Sequence, residues 1–353
     1  MLCAAWPHTS GNFASIRLRA AAFLDSLEDA RESNSEQEWA AQWANIGDAH
    51  CVLVDVHLKK RDLAAAADAW LCALTAFEVG RRLVDEDHPQ GEKILAKIYV
   101  SIQRFALSLG QKVEQVRISC DDLPEISAYY LSQGGADLAA PAVICISREG
   151  EARAALLGRL LPAVSGRAMS ILVVSHDDVS NHWRGRSEIS LSCCLDYLAG
   201  RAGVDASRIG IYGEGLSAAL ATDYAVFDRR IAAAVCDGGL WNWVCTLGSG
   251  WPTRALDNES EISARRSRLA RQLRCPVLVV AGGRGTVSVP EAIKLQADCV
   301  AARIDLEIAM PRTAPTPVRD IENFITSDDH ILGWLERKLT ASQLRDCRLT
   351  GEH

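Results

Sequence analysis

The residues that could carry out chemistry gather around one short segment. Gly213-Glu214-Gly215-Leu216-Ser217 follows an apolar run and opens a stretch with helical spacing. Ser217 has a hydroxyl, Glu214 a carboxylate, and Asp237 ends the next apolar run. A serine becomes a nucleophile only when a histidine takes its proton and an acid orients that histidine. His330, in Ser327-Asp328-Asp329-His330, is a candidate base, and Cys236 and Cys245 are alternative nucleophiles. A reactive cysteine also needs a polarising neighbour and access. His176 and His182 share one segment, but no third ligand stands at a helpful spacing, so no metal site is expected and no cofactor motif is present.

Composition narrows the classes. The 353 residues are 48% hydrophobic and 24% charged, with a formal net charge of -7. A basic surplus is the usual mark of a nucleic-acid binder, so that partner is disfavoured. No apolar run approaches the roughly 18 residues that span a bilayer, and no secretory leader is visible, so a cytoplasmic protein without membrane contact is expected. The twelve cysteines form no C-x-x-C pair and mostly fall in apolar runs, which reads as buried, reduced thiols.

The elements that must position these residues fall into two textures. Residues 1–110 read as helices only, and the segment 61–84 is Ala-rich and amphipathic, with Leu63, Trp70, Leu74 and Phe77 near helical spacing. Further helices are expected at 23–30, 36–58 and 92–109, with Gly110 as a C-cap. From 111 to 353 short apolar strands alternate with helices, which indicates a mostly parallel sheet covered on both faces. Eight strands are expected, the first pair hairpin-like. The stretch 239–274, with Trp241, Trp243 and Trp251, is too long for a simple connection and reads as a cap element.

The segment 204–239, "VDASRIGIYGEGLSAALATDYAVFDRRIAAAVCDGG", resembles the strand–elbow–helix–strand core of the α/β-hydrolases. The helical half, with "EWAAQWANIGD", "DAWLCALTAFEVG" and "VEQVRIS", is similar to the helical domain of the 2,6-dihydroxypseudooxynicotine hydrolase, FrsA-type and Ayg-type polyketide-shortening group. The resemblance covers almost the whole chain. It implies an α/β-hydrolase fold of eight mostly parallel strands, with an N-terminal all-helical domain and a Trp-rich cap. It also implies a possible homodimer, by analogy with pairing through the helical domain.

The same resemblance assigns positions, and several are filled unexpectedly. Against G-x-S-x-G, the nucleophile place holds Gly215, and Ser217 stands where the second glycine belongs. Ser217 is then either a helix-start cap or a displaced nucleophile. In Gly283 to Pro290 the acid's place is Thr286; Asp237 is a substitute acid or part of a turn. The loop Met310 to Pro317 contains no histidine, leaving His330 as a functional histidine folded back to the cleft or a surface or capping residue. Ser175 to Ser180 replaces the family's D-x-P-G-x-G. The oxyanion hole needs only backbone N–H groups, here of Leu216 and of the Ser147-Arg148-Glu149-Gly150 turn.

Three functions remain open. One is a pocket that binds a small carbonyl compound and promotes a non-covalent step through Glu214, Asp237, His176 or His330. Another is a non-catalytic pseudohydrolase. The last is a hydrolase of an ester, thioester or C–C bond with relocated catalytic residues.

Overall fold

The computed structural model describes residues 12–27, 35–85, 88–108, 113–120, 123–132, 139–180, 186–238, 272–281, 303–315 and 320–349, with a few positions between 293 and 301. The expected cap at 239–274 falls almost wholly outside the described residues, as do Thr286, Cys245, Gly110 and His182. The chain divides into two compact units.

The helical unit takes residues 1–113, 154–166 and 311–330. Its helices are α1 (Phe13–Asp25), α2 (Glu36–Lys59), α3 (Leu63–Arg82), α4 (Pro89–Ser108) and α5 (Arg153–Val164). Local chemistry sets their starts. Ser35 and Glu38 form a reciprocal capping box on α2, and the Asp62 side chain accepts from Ala65 N on α3. The Phe23 ring sits 5.2 Å from Trp39 and 5.3 Å from Trp43, anchoring α1 on α2. Helix α3 is long and apolar enough to cross a membrane, but Trp70, Leu74 and Phe77 on it are fully buried in this unit. The expected helix at 23–30 instead ends at Asp25, having begun at Phe13.

Two short strands of this unit, β9 (Thr313–Pro315) and β10 (Asp320–Glu322), pair antiparallel. Behind them runs α9 (Phe324–Leu349), which continues into the other unit. Arg159 on α5 pairs with Asp328 on α9 at 3.3 Å, both buried. Glu78 on α3 is also buried and holds Arg81 at 2.8 Å and Arg82 at 2.7 Å.

The sheet unit takes residues 114–153, 167–310 and 331–353. Its strands are β1 (Val113–Cys120), β2 (Leu123–Leu131), β3 (Ala140–Ile146), β4 (Ser170–Val174), β5 (Val204–Glu214), β6 (Ile231–Asp237), β7 (Val277–Val280) and β8 (Leu306–Ala309). Their order is β1-β2-β4-β3-β5-β6-β7-β8. β2 runs antiparallel to β4, and every pairing from β4 through β3 to β8 is parallel. β3, β4 and β7 are buried along their whole length, as continuous apolar runs in a covered parallel sheet require. The eight-stranded, mostly parallel sheet is therefore as the sequence indicates. Helices α6 (His176–Val179), α7 (Arg186–Ala199) and α8 (Ser217–Phe227) connect strands within this unit.

Among the described cysteines, one pair differs from the expectation of reduced thiols, and Cys51 is half-buried rather than buried. Cys120 and Cys193 form a disulfide rather than two reduced thiols. β1 and α7 bring their Cα atoms to 5.9 Å, within disulfide reach. The two positions are 73 residues apart, a proximity only the fold creates.

Candidate active site

The site sits at the C-terminal ends of four neighbouring strands, where parallel sheets present their ligand crevices. Ser147 follows β3, His176 follows β4, Gly215 follows β5 and Asp237 ends β6. The register keeps them level: Ile146 pairs with both Val174 and Gly213, and Glu214 with Asp237. Gly215 N donates to Asp237 O at 2.9 Å, tying the elbow to β6.

Residue 215 has φ of +60°, the left-handed backbone that a nucleophile elbow imposes on its central residue. Glycine adopts it without strain. A Cβ added there would meet only the Arg148 Cβ, at 3.5 Å, an ordinary contact. Gly213 is the opposite case: a Cβ there would stand 2.1 Å from the Ser217 carbonyl oxygen. The strand therefore turns into α8 as sharply as an elbow must, and residue 213 has to be glycine for that approach. The turn keeps room for a side chain at 215 and carries none.

Ser217 is fully buried. It makes no helix cap; the N-cap residue is Leu216, which has no side-chain cap bond. Instead the Ser217 hydroxyl donates to Ser147 O at 2.6 Å and lies 2.7 Å from His176 Nδ1. A carbonyl oxygen only accepts, and a hydroxyl has one proton. With that proton on Ser147 O, the imidazole contact requires His176 Nδ1–H as donor. A base that activates a serine presents its unprotonated nitrogen to the hydroxyl, so this arrangement holds His176 in the other tautomer. Ser147 completes the cluster, its hydroxyl donating to Glu151 O at 2.9 Å and accepting from His176 N at 3.3 Å.

The cluster also aims a peptide. A trans peptide points its C=O and N–H in opposite directions. With Ser147 C=O held on Ser217, the Arg148 N–H faces away from Ser217, on the turn whose Arg148 Cβ borders residue 215. The Leu216 N–H opens α8, where no preceding helical carbonyl can accept it.

Beside the elbow lies a second buried group. Tyr212 OH donates to Asp237 Oδ2 at 2.9 Å and lies 3.3 Å from Glu214 Oε2, all three side chains buried. Cys236 is fully buried; burial pushes its thiol up to about 12, which disfavours the nucleophilic thiolate, and Thr222 Oγ1 contacts its sulfur at 3.0 Å.

The structure thus brings together Gly215, Leu216, Ser217, Arg148 and Asp237. His330 belongs to the helical unit, where it is exposed on the second turn of α9. The contact missed from the sequence is Ser217 with His176, together with Tyr212. Its one sequence signal was a serine replacing the elbow's second glycine while a histidine follows β4.

No protein-family model matches the chain, and no curated protein does. Solved structures match in large number. The crystal structure of the 2,6-dihydroxy-pseudo-oxynicotine hydrolase aligns with a TM-score of 0.59 at 16% identity, over 93% of this chain and 96% of that one. An acylaminoacyl peptidase from Pyrococcus horikoshii aligns at TM-score 0.50 and 14% identity, over 64% of this chain and 42% of its own. A putative dipeptidyl aminopeptidase IV from Bacteroides ovatus gives TM-score 0.50 at 13% identity, over 64% and 36%. At these identities the likeness concerns the fold, and it agrees with the strand order and the elbow: the chain has the α/β-hydrolase fold, with a helical unit besides its sheet.

Proposed function

We propose that this chain has no working Ser–Asp–His triad and binds a small carbonyl compound at the elbow, as a pseudohydrolase or as a catalyst that forms no acyl-enzyme. The carrying observation is Gly215: the elbow backbone is complete, at φ of +60°, and the residue in the nucleophile place has no side chain. Backbone donors need no nucleophile. A carbonyl oxygen set between the Leu216 and Arg148 N–H groups would be polarised by fixed dipoles. Glu214 and Asp237, linked through Tyr212, are the nearby groups able to hold or move a proton. The full-length likeness to an enzyme named for a small-molecule substrate supports a small ligand over a polymer.

One observation favours a second reading. The 2.7 Å contact between Ser217 and His176 is the distance of a serine–histidine pair, as a relocated hydrolase would have. Intact mass after a fluorophosphonate probe and after p-nitrophenyl acetate separates the two, on the native chain and on Ser217→Ala. The proposal expects no adduct on either. A single adduct on the native chain that disappears in Ser217→Ala overturns it and makes Ser217 the nucleophile.

A further inference from the structure

β1 is the edge strand of the sheet, and two links hold it to α7 and the residues after it. One is the disulfide from Cys120, the last residue of β1, to Cys193 in the middle of α7. The other is non-covalent. Arg201, just past α7, bonds both carboxylate oxygens of Glu114 on β1, at 2.9 and 2.8 Å. Its guanidinium lies 4.6 Å from the Tyr130 ring centroid and 5.6 Å from that of Tyr197. These two rings meet edge to face at 6.0 Å.

The second link matters for the first. With the S–S bond open, the Arg201–Glu114 ion pair still joins β1 to the residues just past α7, and Arg201 over Tyr130 and Tyr197 joins the neighbouring β2 to α7, so non-covalent contacts between the two sides of the bond remain. Access is graded: Cys193 is half-buried and Cys120 is 8% exposed. Four of the free thiols among the described residues are poor competitors. Burial pushes Cys72, Cys194, Cys236 and Cys275 up to about 12, including the immediate neighbour of Cys193. At neutral pH such thiols hold almost no thiolate to attack a disulfide.

We infer that Cys120–Cys193 is a redox-switched staple, opened and closed by exchange with a small-molecule thiol–disulfide couple such as glutathione. To open it, an external thiolate attacks the more accessible Cys193 sulfur, forming a mixed disulfide and expelling the Cys120 thiolate, which takes a proton. A second external thiolate then displaces Cys193, which is protonated in turn. The pair gains two electrons and two protons, and two external thiols become one disulfide. Closure is the reverse, with the external disulfide as oxidant. The switch removes or restores the covalent link between the sheet's edge strand and α7, leaving the Arg201–Glu114 pair as the remaining tie to β1.

The test equilibrates the full chain in glutathione buffers from fully oxidised to fully reduced, then alkylates, measures intact mass and maps peptides. The expected result is a Cys120–Cys193 cross-link that opens and recloses across the series, with the melting temperature falling by about 5–10 °C on opening. Cys120→Ser and Cys193→Ser should each abolish both the cross-link and the redox dependence of melting. Glu114→Gln should keep the same pairing but slow reclosure after reductant is removed, by about two- to fivefold. A cross-link that persists in excess reduced glutathione, that never forms with glutathione disulfide, or that joins other cysteines overturns the inference.

Discussion

A Cβ on residue 213 would stand 2.1 Å from the carbonyl oxygen of Ser217, so the last turn of β5 and the first turn of α8 touch backbone to backbone. Residue 215, two positions on, has open room and a left-handed backbone. The two glycines should therefore respond differently to the same methyl group. Gly213→Ala forces backbone apart and should cost about 3 kcal/mol or more, as severe overpacking does. Gly215→Ala meets only the left-handed penalty of about 1–2 kcal/mol. Urea unfolding of both variants checks the order; equal costs would mean that the elbow is not as tight as described.

Ser217 and His176 should be energetically coupled. Ser217→Ala leaves buried polar atoms on Ser147 and His176 without the hydroxyl, a loss of about 1–3 kcal/mol. His176→Phe should cost less in a Ser217→Ala background than in the native chain, by about 0.5–1.5 kcal/mol of coupling. A double-mutant cycle by urea unfolding measures it, and simple additivity would show that the contact contributes nothing.

The helical unit should have a stability optimum on the acid side of neutrality. Burial alone would raise the Glu78 carboxyl, but the charges and hydrogen bonds of Arg81 and Arg82 outweigh it and hold it down to about 2. A depressed carboxyl stabilises above its unfolded value and loses that contribution as pH falls from about 4.5 towards 2, here on the order of 3 kcal/mol. Asp328 has the opposite sign. Burial pushes it up, Arg159 pulls it down and Glu322 adds to the rise, leaving it at about 7. Its contribution is complete below its unfolded value near 3.8 and is lost as pH climbs through 7. Unfolding followed by tryptophan fluorescence across pH 3–9 should show both limbs. Glu78→Gln should remove the acid limb, and Asp328→Asn should flatten the decline between about pH 4 and pH 7.

Native thiol labelling should spare the deep cysteines. Cys72, Cys194, Cys236 and Cys275 are all pushed up to about 12 by burial. Iodoacetamide at pH 7.5 should modify none of them until denaturant is added. Rapid native modification of Cys236 would restore it as a nucleophile candidate.

Much of this architecture was legible because it rests on local pattern. Short continuous apolar runs such as "AVICIS" and "SILVV", separated by stretches of helical spacing, indicate covered strands, whereas the caps Ser35 and Asp62 that set two helix starts were not singled out in the sequence. The elbow was legible too, because Gly213 and Gly215 answer to backbone demands. The helix α1 was misplaced because its start depends on Asn12 accepting from Ser15 N and its face on Trp39 and Trp43 across the chain. The partners of Ser217 were hidden for a related reason. His176 and Ser147 come from two other strands, 41 and 70 residues away, and only sheet order places them beside it. Helix-start chemistry favoured a capping role for Ser217, and tertiary hydrogen bonding overrode it.

Glycine at residue 215 also separates shape from use. A serine at φ of +60° is strained, and a fold tolerates such strain when the surroundings enforce it. Glycine takes the same angle freely, so here the turn stands whatever happens at the crevice. The Cβ of a side chain placed at residue 215 would meet only the Arg148 Cβ, so the sheet beneath it need not be rebuilt to carry one.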